Sequence, residues 1–279
     1  MQSTALENQN VAMSEVRKDN WAAGKLYEPY VGRWSRLVAK EFLQWLQLPA
    51  QLDWLDVGCG TGALTQSIWQ QTQPQSVTGI EPSAGFIDYA KAQITDPRVT
   101  FEVADAQSLP VQSARFDVAV SGLVLNFVPK PLLAAQEMAR AVRPAGVVAA
   151  YVWDYAGKME LMRYFWDAAV AVDPSASKLA EGLRFPICQP PALVALFSEA
   201  GLRDVQTHTI DAPTTFRDFD DYWNPFLGGQ GPAAGYAMSL SEEHRGALRD
   251  RIRATLPIAS DGSISLIARA WAVRGSNRQ

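Results

Sequence analysis

Asp56 stands two positions before the first of three alternating glycines, in the run Leu55-Asp56-Val57-Gly58-Cys59-Gly60-Thr61-Gly62-Ala63-Leu64-Thr65. Trp54, Leu55 and Val57 read as the end of a short buried strand, and the residues from Ala63 onward as the first turn of a helix. Glycines at alternate positions let the chain turn tightly and leave bare main chain for a ligand to lie against. The helix start adds unpaired N–H groups and the positive end of a dipole. The glycines alone leave the ligand open, because Gly58-x-Gly60-x-x-Ala63 also meets the dinucleotide fingerprint in its G-x-G-x-x-A form. Asp56 tilts the choice: a carboxylate at the strand tip suits a ligand carrying an ammonium group and sits awkwardly beside a pyrophosphate. Cys59 fills a turn position that needs a small side chain, and packing explains it better than nucleophilic chemistry.

Further acids follow at strand ends. The run Ser76-Val77-Thr78-Gly79-Ile80-Glu81 reads as a second strand, and Glu81 lies 25 positions after Asp56, near the spacing at which an acid meets a ribose in βαβ folds. A carboxylate accepts hydrogen bonds from both ribose hydroxyls at once. Pro82-Ser83 starts the next helix, which runs through Phe86, Ile87 and Ala90. A third strand, Val99 to Val103, leads into Ala104-Asp105-Ala106-Gln107-Ser108-Leu109-Pro110. A fourth, Phe116 to Ser121, leads into Gly122-Leu123-Val124-Leu125-Asn126-Phe127-Val128-Pro129.

Taken together, these runs resemble the class I S-adenosylmethionine-dependent methyltransferases of small-molecule type, closely over residues 26–154 and loosely over 190–275. The resemblance implies S-adenosyl-L-methionine as donor and S-adenosyl-L-homocysteine as product. It places Asp56, Gly58, Cys59, Gly60 and Gly62 against the donor, and Glu81 and Pro82 at its ribose. Asp105 would read the adenine amino group, with the Ala106 amide meeting the ring. Asn126 and Phe127 would face the transferable methyl. For Asp105 taken alone, an Asx turn opening a loop is a serious rival reading. Asn126-Phe127-Val128-Pro129 departs from the Asn-Pro-Pro-aromatic motif of amino-directed nucleic-acid methyltransferases, which disfavours a base as acceptor.

The alternation of apolar runs with helix-period segments predicts a doubly wound α/β fold: a mostly parallel, Rossmann-like seven-stranded sheet with its last strand antiparallel and a helical cap formed by insertions. Residues 1–25 are expected to be a mobile leader, and 26–154 the cofactor-binding core with an N-terminal lid helix. Residues 155–189 and 212–261 are expected as cap insertions, 190–211 as core, and 262–279 as the last core strand and tail. In the lid, Trp34, Leu37, Val38, Phe42, Trp45 and Leu46 recur at spacings of three and four. Tyr30, Arg33 and Trp34 precede or begin that helix; Arg33 suits the donor's carboxylate, while Tyr30 and Trp34 either face the ligand or staple the helix to the domain. The fifth strand is expected at Val147 to Val152, after the turn Arg143-Pro144-Ala145-Gly146. Strand six is expected near Val205 to Ile210 and strand seven at Ile264 to Trp271.

The insertions are rich in aromatic residues, which suits a hydrophobic acceptor chamber roofed over the carboxyl ends of the strands. Trp34, Phe127, Trp153, Tyr155, Phe185, Tyr222, Trp223 and Tyr30 are its candidate lining; for any one ring, the cap's own core is the competing assignment. Gly228 to Gly231 serves as a hinge or a linker. Methyl transfer needs a base only where the acceptor is protonated; Tyr30, Tyr155, Tyr222 and His244 are the weak candidates, and His208 is expected to be structural.

Composition narrows the classes further. With 48% hydrophobic residues and a net charge of −4, the chain suits a globular fold without the basic footprint of nucleic-acid or anionic-membrane binding. No apolar run is long enough to cross a membrane, and two cysteines suit a reducing, cytoplasmic setting. No metal-binding spacing is present. Three other functions share the glycine loop or the donor: an NAD-dependent oxidoreductase, a non-catalytic S-adenosylmethionine-binding protein, and a cyclopropane-type methylene transferase acting on a lipid. The first lacks a Tyr-x-x-x-Lys pair and fits Asp56 poorly.

Overall fold

The computed structural model describes residues 32–229 and 231–277; the expected leader, and Tyr30 of the lid, lie outside them. A seven-stranded sheet runs through the molecule in the order β3-β2-β1-β4-β5-β7-β6. Its strands are β1 (Asp53–Val57), β2 (Ser76–Glu81), β3 (Val99–Val103), β4 (Phe116–Gly122), β5 (Val142–Trp153), β6 (Arg203–Phe216) and β7 (Ile264–Ser276). The first five pair in parallel, and β7 pairs antiparallel with both β5 and β6. All five residues of β1 are buried, as expected of a central parallel strand covered on both faces.

Helices α1 (Arg33–Leu46), α2 (Ala63–Gln71), α3 (Ala84–Gln93) and α4 (Pro131–Ala141) accompany the parallel strands, and α7 (Pro190–Glu199) precedes β6. Two of them start as the sequence prescribes: Ser83 caps α3 by accepting from the Phe86 N–H, and Pro131 occupies the first turn of α4, where its missing N–H is no loss. Asp56, Gly79 and Val120 share one register row across β1, β2 and β4. Side chains alternate along a strand, so Asp56 and Glu81 lie on the same sheet face. Helix α1 covers that face further along, where Phe42 packs 4.8 Å from the Tyr151 ring.

The antiparallel edge is longer than the sequence pattern indicates. Strand β6 continues to Phe216 and β7 to Ser276. The last β5–β7 pair is Trp153 with Ala270, yet β6 and β7 go on pairing to Phe216 opposite Ile264. This two-stranded ribbon projects past the end of β5, and Met159 bridges to it at Ala268. Strand β5 starts at Val142 rather than Val147, because the expected Arg143–Gly146 turn is accommodated as a bulge against β4, with Ala145 at φ 63°.

The cap helices are α5 (Glu160–Val172), the single turn α6 (Glu181–Arg184), α8 (Phe219–Trp223), α9 (Gly231–Ser239) and α10 (Glu242–Thr255). Phe165, Phe226 and Tyr222 are fully buried, with the Phe165 and Phe226 rings stacked at 4.6 Å and Tyr222 5.5 Å from Phe226. This part of the aromatic enrichment is the cap's own core.

Candidate active site

The glycine loop joins β1 to α2, and all three glycines adopt the left-handed backbone, at φ 75°, 53° and 88° for Gly58, Gly60 and Gly62. Each is there for a different reason. A Cβ on Gly58 would come within 2.5 Å of Val124 Cγ1, and one on Gly62 within 3.3 Å of Ala90 Cβ, whereas one on Gly60 meets nothing within 4 Å. Gly60 therefore borders open space, as a peptide that receives a ligand must. The loop is tied to β2 because the N–H groups of Gly58 and Cys59 donate to the Ile80 carbonyl at 2.7 and 3.0 Å. Cys59 is buried with its Sγ 2.9 Å from the Cβ position of Gly79, and burial pushes its thiol up, so it packs rather than reacts. Gly79 is a site residue that sequence reading passed over; its signal was a glycine inside a strand, which marks close approach.

The two acids sit at adjacent strand ends. Asp56 is wholly buried; its Oδ2 accepts from Thr65 Oγ1 at 2.6 Å, and its Oδ1 has no partner. Thr65, in the first turn of α2, thus anchors the acid and was also missed. Burial pushes Asp56 up to about 7 against the hydrogen bonds from Thr65, and the charge of Glu81 adds to the rise. Glu81 accepts from the Gly60 N–H at 3.2 Å through Oε2 and from the Ser83 N–H at 3.0 Å through Oε1; burial raises it too. A carboxylate has about four acceptor positions, so two remain for hydroxyls. Pro82 beside it is exposed.

The loops after β3 and β4 complete this rim. Asp105 is exposed and forms the Asx turn, accepting from the Gln107 N–H at 2.8 Å and from its side-chain amide at 3.1 Å. Gln107 in turn accepts from the Lys130 N–H at 3.2 Å, joining the two loops, and Ala106 is buried between them. Asn126, in a 3-10 turn at Leu125–Phe127, is 8% exposed, and neither atom of its amide has a hydrogen-bond partner. Leu123, just before, holds φ 64°, a left-handed backbone uncommon for a residue with a side chain. An open peptide at Gly60, a carboxylate with spare acceptor capacity, a buried acid with a free oxygen and an unmet amide suit an adenosyl donor that carries an ammonium.

The candidate acceptor residues fall into two groups. Phe127 packs edge-on against Phe185 at 5.0 Å, and Tyr155 lies 5.7 Å from Phe185, so the loop after β4 and the first insertion meet here. Trp153, at the end of β5, is buried nearby in sequence. Tyr222 and Trp223 belong instead to the cap core: the Tyr222 hydroxyl donates to the Leu161 carbonyl at 2.8 Å, and Trp223 packs 6.1 Å from Phe226. Burial raises Tyr222 well above the phenol range, so it is no base. His244 is exposed at the start of α10, where its Nδ1 meets Ser241 Oγ at 2.8 Å; it belongs to a helix cap. His208 is exposed and stacks on Trp45 at 5.3 Å. Arg33 is held by Asp221 at 3.1 Å and lies over the rings of Trp34 and Phe216, so it ties α1 to the cap.

Among the described residues no cluster of His, Cys, Asp and Glu could hold a metal, and no helix is long and apolar enough to cross a membrane. Residues 55–150 match a family described as methyltransferase domain. A malonyl-[acyl-carrier protein] O-methyltransferase of Hahella chejuensis is 30% identical over 141 residues, half of each chain. A 2-methyl-6-phytyl-1,4-hydroquinone methyltransferase of Synechocystis is 28% identical over 242 residues, 76% of this chain and 73% of that one. The chain spans half or less of the first curated relatives it matches. Among solved structures, the phosphoethanolamine N-methyltransferase 2 of Haemonchus contortus, in complex with S-adenosyl-L-methionine, superposes with a TM-score of 0.55 at 14% identity, over 88% of this chain and 53% of that one. Fold and glycine loop define a Rossmann-like methyltransferase domain. These likenesses support the resemblance of residues 55–150 to the class I S-adenosylmethionine-dependent methyltransferases.

Proposed function

We propose that this protein transfers a methyl group from S-adenosyl-L-methionine to a small, largely apolar organic acceptor. One observation carries the reading: Glu81 reaches across to the Gly60 N–H at the rim of an open peptide, with acceptor capacity left for a ribose. In this reading Glu81 holds both ribose hydroxyls, and the loop from Gly58 to Gly62, with Cys59 beneath it, supports the donor's chain. Asp56 faces its ammonium through the unpartnered Oδ1. Asp105 and Ala106 flank the adenine, and Asn126 turns its amide to the reacting end.

When bound, the sulfonium supplies an activated methyl, and its transfer leaves the electron pair on sulfur. The chain's own task is to orient the acceptor in line and exclude water. Phe127, Phe185 and Tyr155 serve that purpose, their faces also favouring a sulfonium charge. The relatives' names span a carrier-bound malonyl acid and a hydroquinone, both oxygen-bearing organic acceptors.

Calorimetric titration with S-adenosylhomocysteine and with NAD tests the donor. Micromolar binding of the former and none of the latter is expected, and the reverse order would overturn the reading. Transfer of labelled methyl into an organic-extractable product, from a panel of phenols, hydroquinones and carboxylic acids, tests the reaction.

A further inference from the structure

We infer that Thr65 is a positioning residue for the donor: its hydroxyl, given to one oxygen of Asp56, leaves the other oxygen for the donor's ammonium. This role rests on the methyl-transfer reading and adds to it the residue that prepares the site for the donor's cationic end. Thr65 Oγ1 donates to Asp56 Oδ2 at 2.6 Å, a separation typical of a hydroxyl on an ionised carboxylate. Both residues are wholly buried, and Asp56 Oδ1 has no partner.

Local structure explains why Thr65 is spent this way. Helix α2 starts at Ala63, and its N-cap is Gly62, at φ 88° and without a side chain to accept from the first turn. The N–H groups of that turn therefore need an acceptor from outside the helix. Asp56, at the tip of β1, supplies it: the backbone N–H of Thr65 joins the hydroxyl in favouring the ionised acid. A helical threonine commonly turns its hydroxyl back to a carbonyl three or four residues earlier. Here it reaches an acid nine positions upstream, so strand tip and helix start hold each other.

The other groups that act on Asp56 oppose its charge. Burial and the charge of Glu81, at the end of β2, both raise it, and the Cys59 thiol in the intervening loop is itself pushed up by burial and by the two acids. Asp56 balances an ammonium only when ionised, so a protonated Asp56 must lose its proton as the donor binds. A hydrogen bond given to Oδ2 favours the ionised form and lowers that cost. It also fixes the rotation of the carboxylate, because Oδ2 cannot swing away without breaking a buried, charge-assisted bond. Loss of the hydroxyl alone would leave the pocket's shape as it is and the acid harder to ionise.

The test is calorimetric titration of the full chain and its T65V and T65S variants between about pH 5.5 and 8, with two probes. One is S-adenosylhomocysteine; the other is methylthioadenosine, which lacks the amino-acid end. T65V, near-isosteric but without the hydroxyl, is expected to bind S-adenosylhomocysteine about tenfold more weakly near pH 6.5, and to reach its plateau about one pH unit later than the parent. Proton release on binding, read from buffers of different ionisation enthalpy, should rise in T65V near pH 7, and T65S should restore the parent's values. Methylthioadenosine affinity is expected to stay the same in all three proteins. T65A, which also lacks the hydroxyl, should repeat the T65V shift and carries the test where valine is not tolerated. A loss that is uniform across pH and equal for both probes marks a structural residue and overturns the role. So does an unmoved profile in the variants without the hydroxyl, or a T65S profile like that of T65V. A parent that binds neither probe sinks the donor reading and this role with it, whereas a binding parent with an unmoved variant profile sinks the role of Thr65 alone.

Discussion

Asp56 and Glu81 differ in what surrounds them, and the difference sets how each responds to change. Glu81 accepts two backbone N–H groups, and hydrogen bonds to a charged group contribute about 1.5–3 kcal/mol. Its remaining acceptor positions face the ribose in the proposed reading, so E81Q is expected to weaken S-adenosylhomocysteine binding roughly 10- to 100-fold, at about 1.4 kcal/mol per tenfold, and to lower the melting temperature as well, because an NH2 group replaces one acceptor of a backbone N–H; titration calorimetry and thermal unfolding measure the two. Asp56 is pushed up to about 7, burial being the largest cause. A carboxyl raised on folding contributes stability below its unfolded value, and that contribution is lost as pH rises through about 7. An ammonium beside it reverses the preference, because binding expels the proton. Donor affinity is thus expected to rise with pH between about 5.5 and 7, by up to tenfold per unit, and to level off above. D56N should flatten this profile, and a profile as steep in D56N as in the parent would remove Asp56 from the ammonium.

At the level of the element, the loop between β1 and α2 separates support from binding. G58A drives a methyl to 2.5 Å from Val124 at φ 75°, so its effect is on the fold. A left-handed non-glycine alone costs about 1–2 kcal/mol, and the overlap adds to it; thermal unfolding should show the loss. G60A has open room at φ 53°, so it carries only the backbone cost in stability, yet it fills the ligand's space. Its expected signature is a larger loss of donor affinity than G58A produces for each degree of melting temperature lost. In the cap, Y222F removes a buried donor from the Leu161 carbonyl and should cost about 1–3 kcal/mol with kcat unchanged. Loss of activity in a stable Y222F protein would return that hydroxyl to the chemistry.

Over the whole molecule, the two ends of the sheet carry opposite electrostatic arrangements. At the amino ends, Asp53 pairs with Arg115 and Arg143 at 3.2 and 3.1 Å, and Arg143 also pairs with Asp117. Burial acts to raise Asp53, but hydrogen bonds from Ser76 and Arg143 and the charge of Arg115 hold it below the usual carboxylate range. At the carboxyl ends, Asp56 and Glu81 have no ion pair among the described residues, so acids crowd without a cation. Balanced charge at the amino ends serves the fold; the unbalanced acids suit a cationic ligand. The cap depends on its aromatic core, and F226A, at a fully buried ring stacked on Phe165, is expected to cost about 3–5 kcal/mol in urea unfolding.

The glycine loop, both acids and the parallel strands were legible in the sequence because each depends on local chemistry: a turn needs glycines, and a doubly covered strand needs a continuous apolar run. The Asx turn at Asp105 was legible beside its adenine reading, and the turn forms. What the sequence left open depends on partners distant along the chain. Tyr222 and Phe185 are both aromatic residues of insertions, yet one bonds a carbonyl 61 residues away inside the cap and the other meets Phe127. Gly79 and Thr65 gave no signal of their partners; only packing shows that Cys59 and Asp56 are their neighbours. The β6–β7 ribbon outran its apolar pattern because edge strands pair through backbone, which any side chain permits. Local sequence thus set the glycine turn and the acids beside it, and tertiary packing alone decided which rings meet and which buried hydrogen-bonding groups stay unmet.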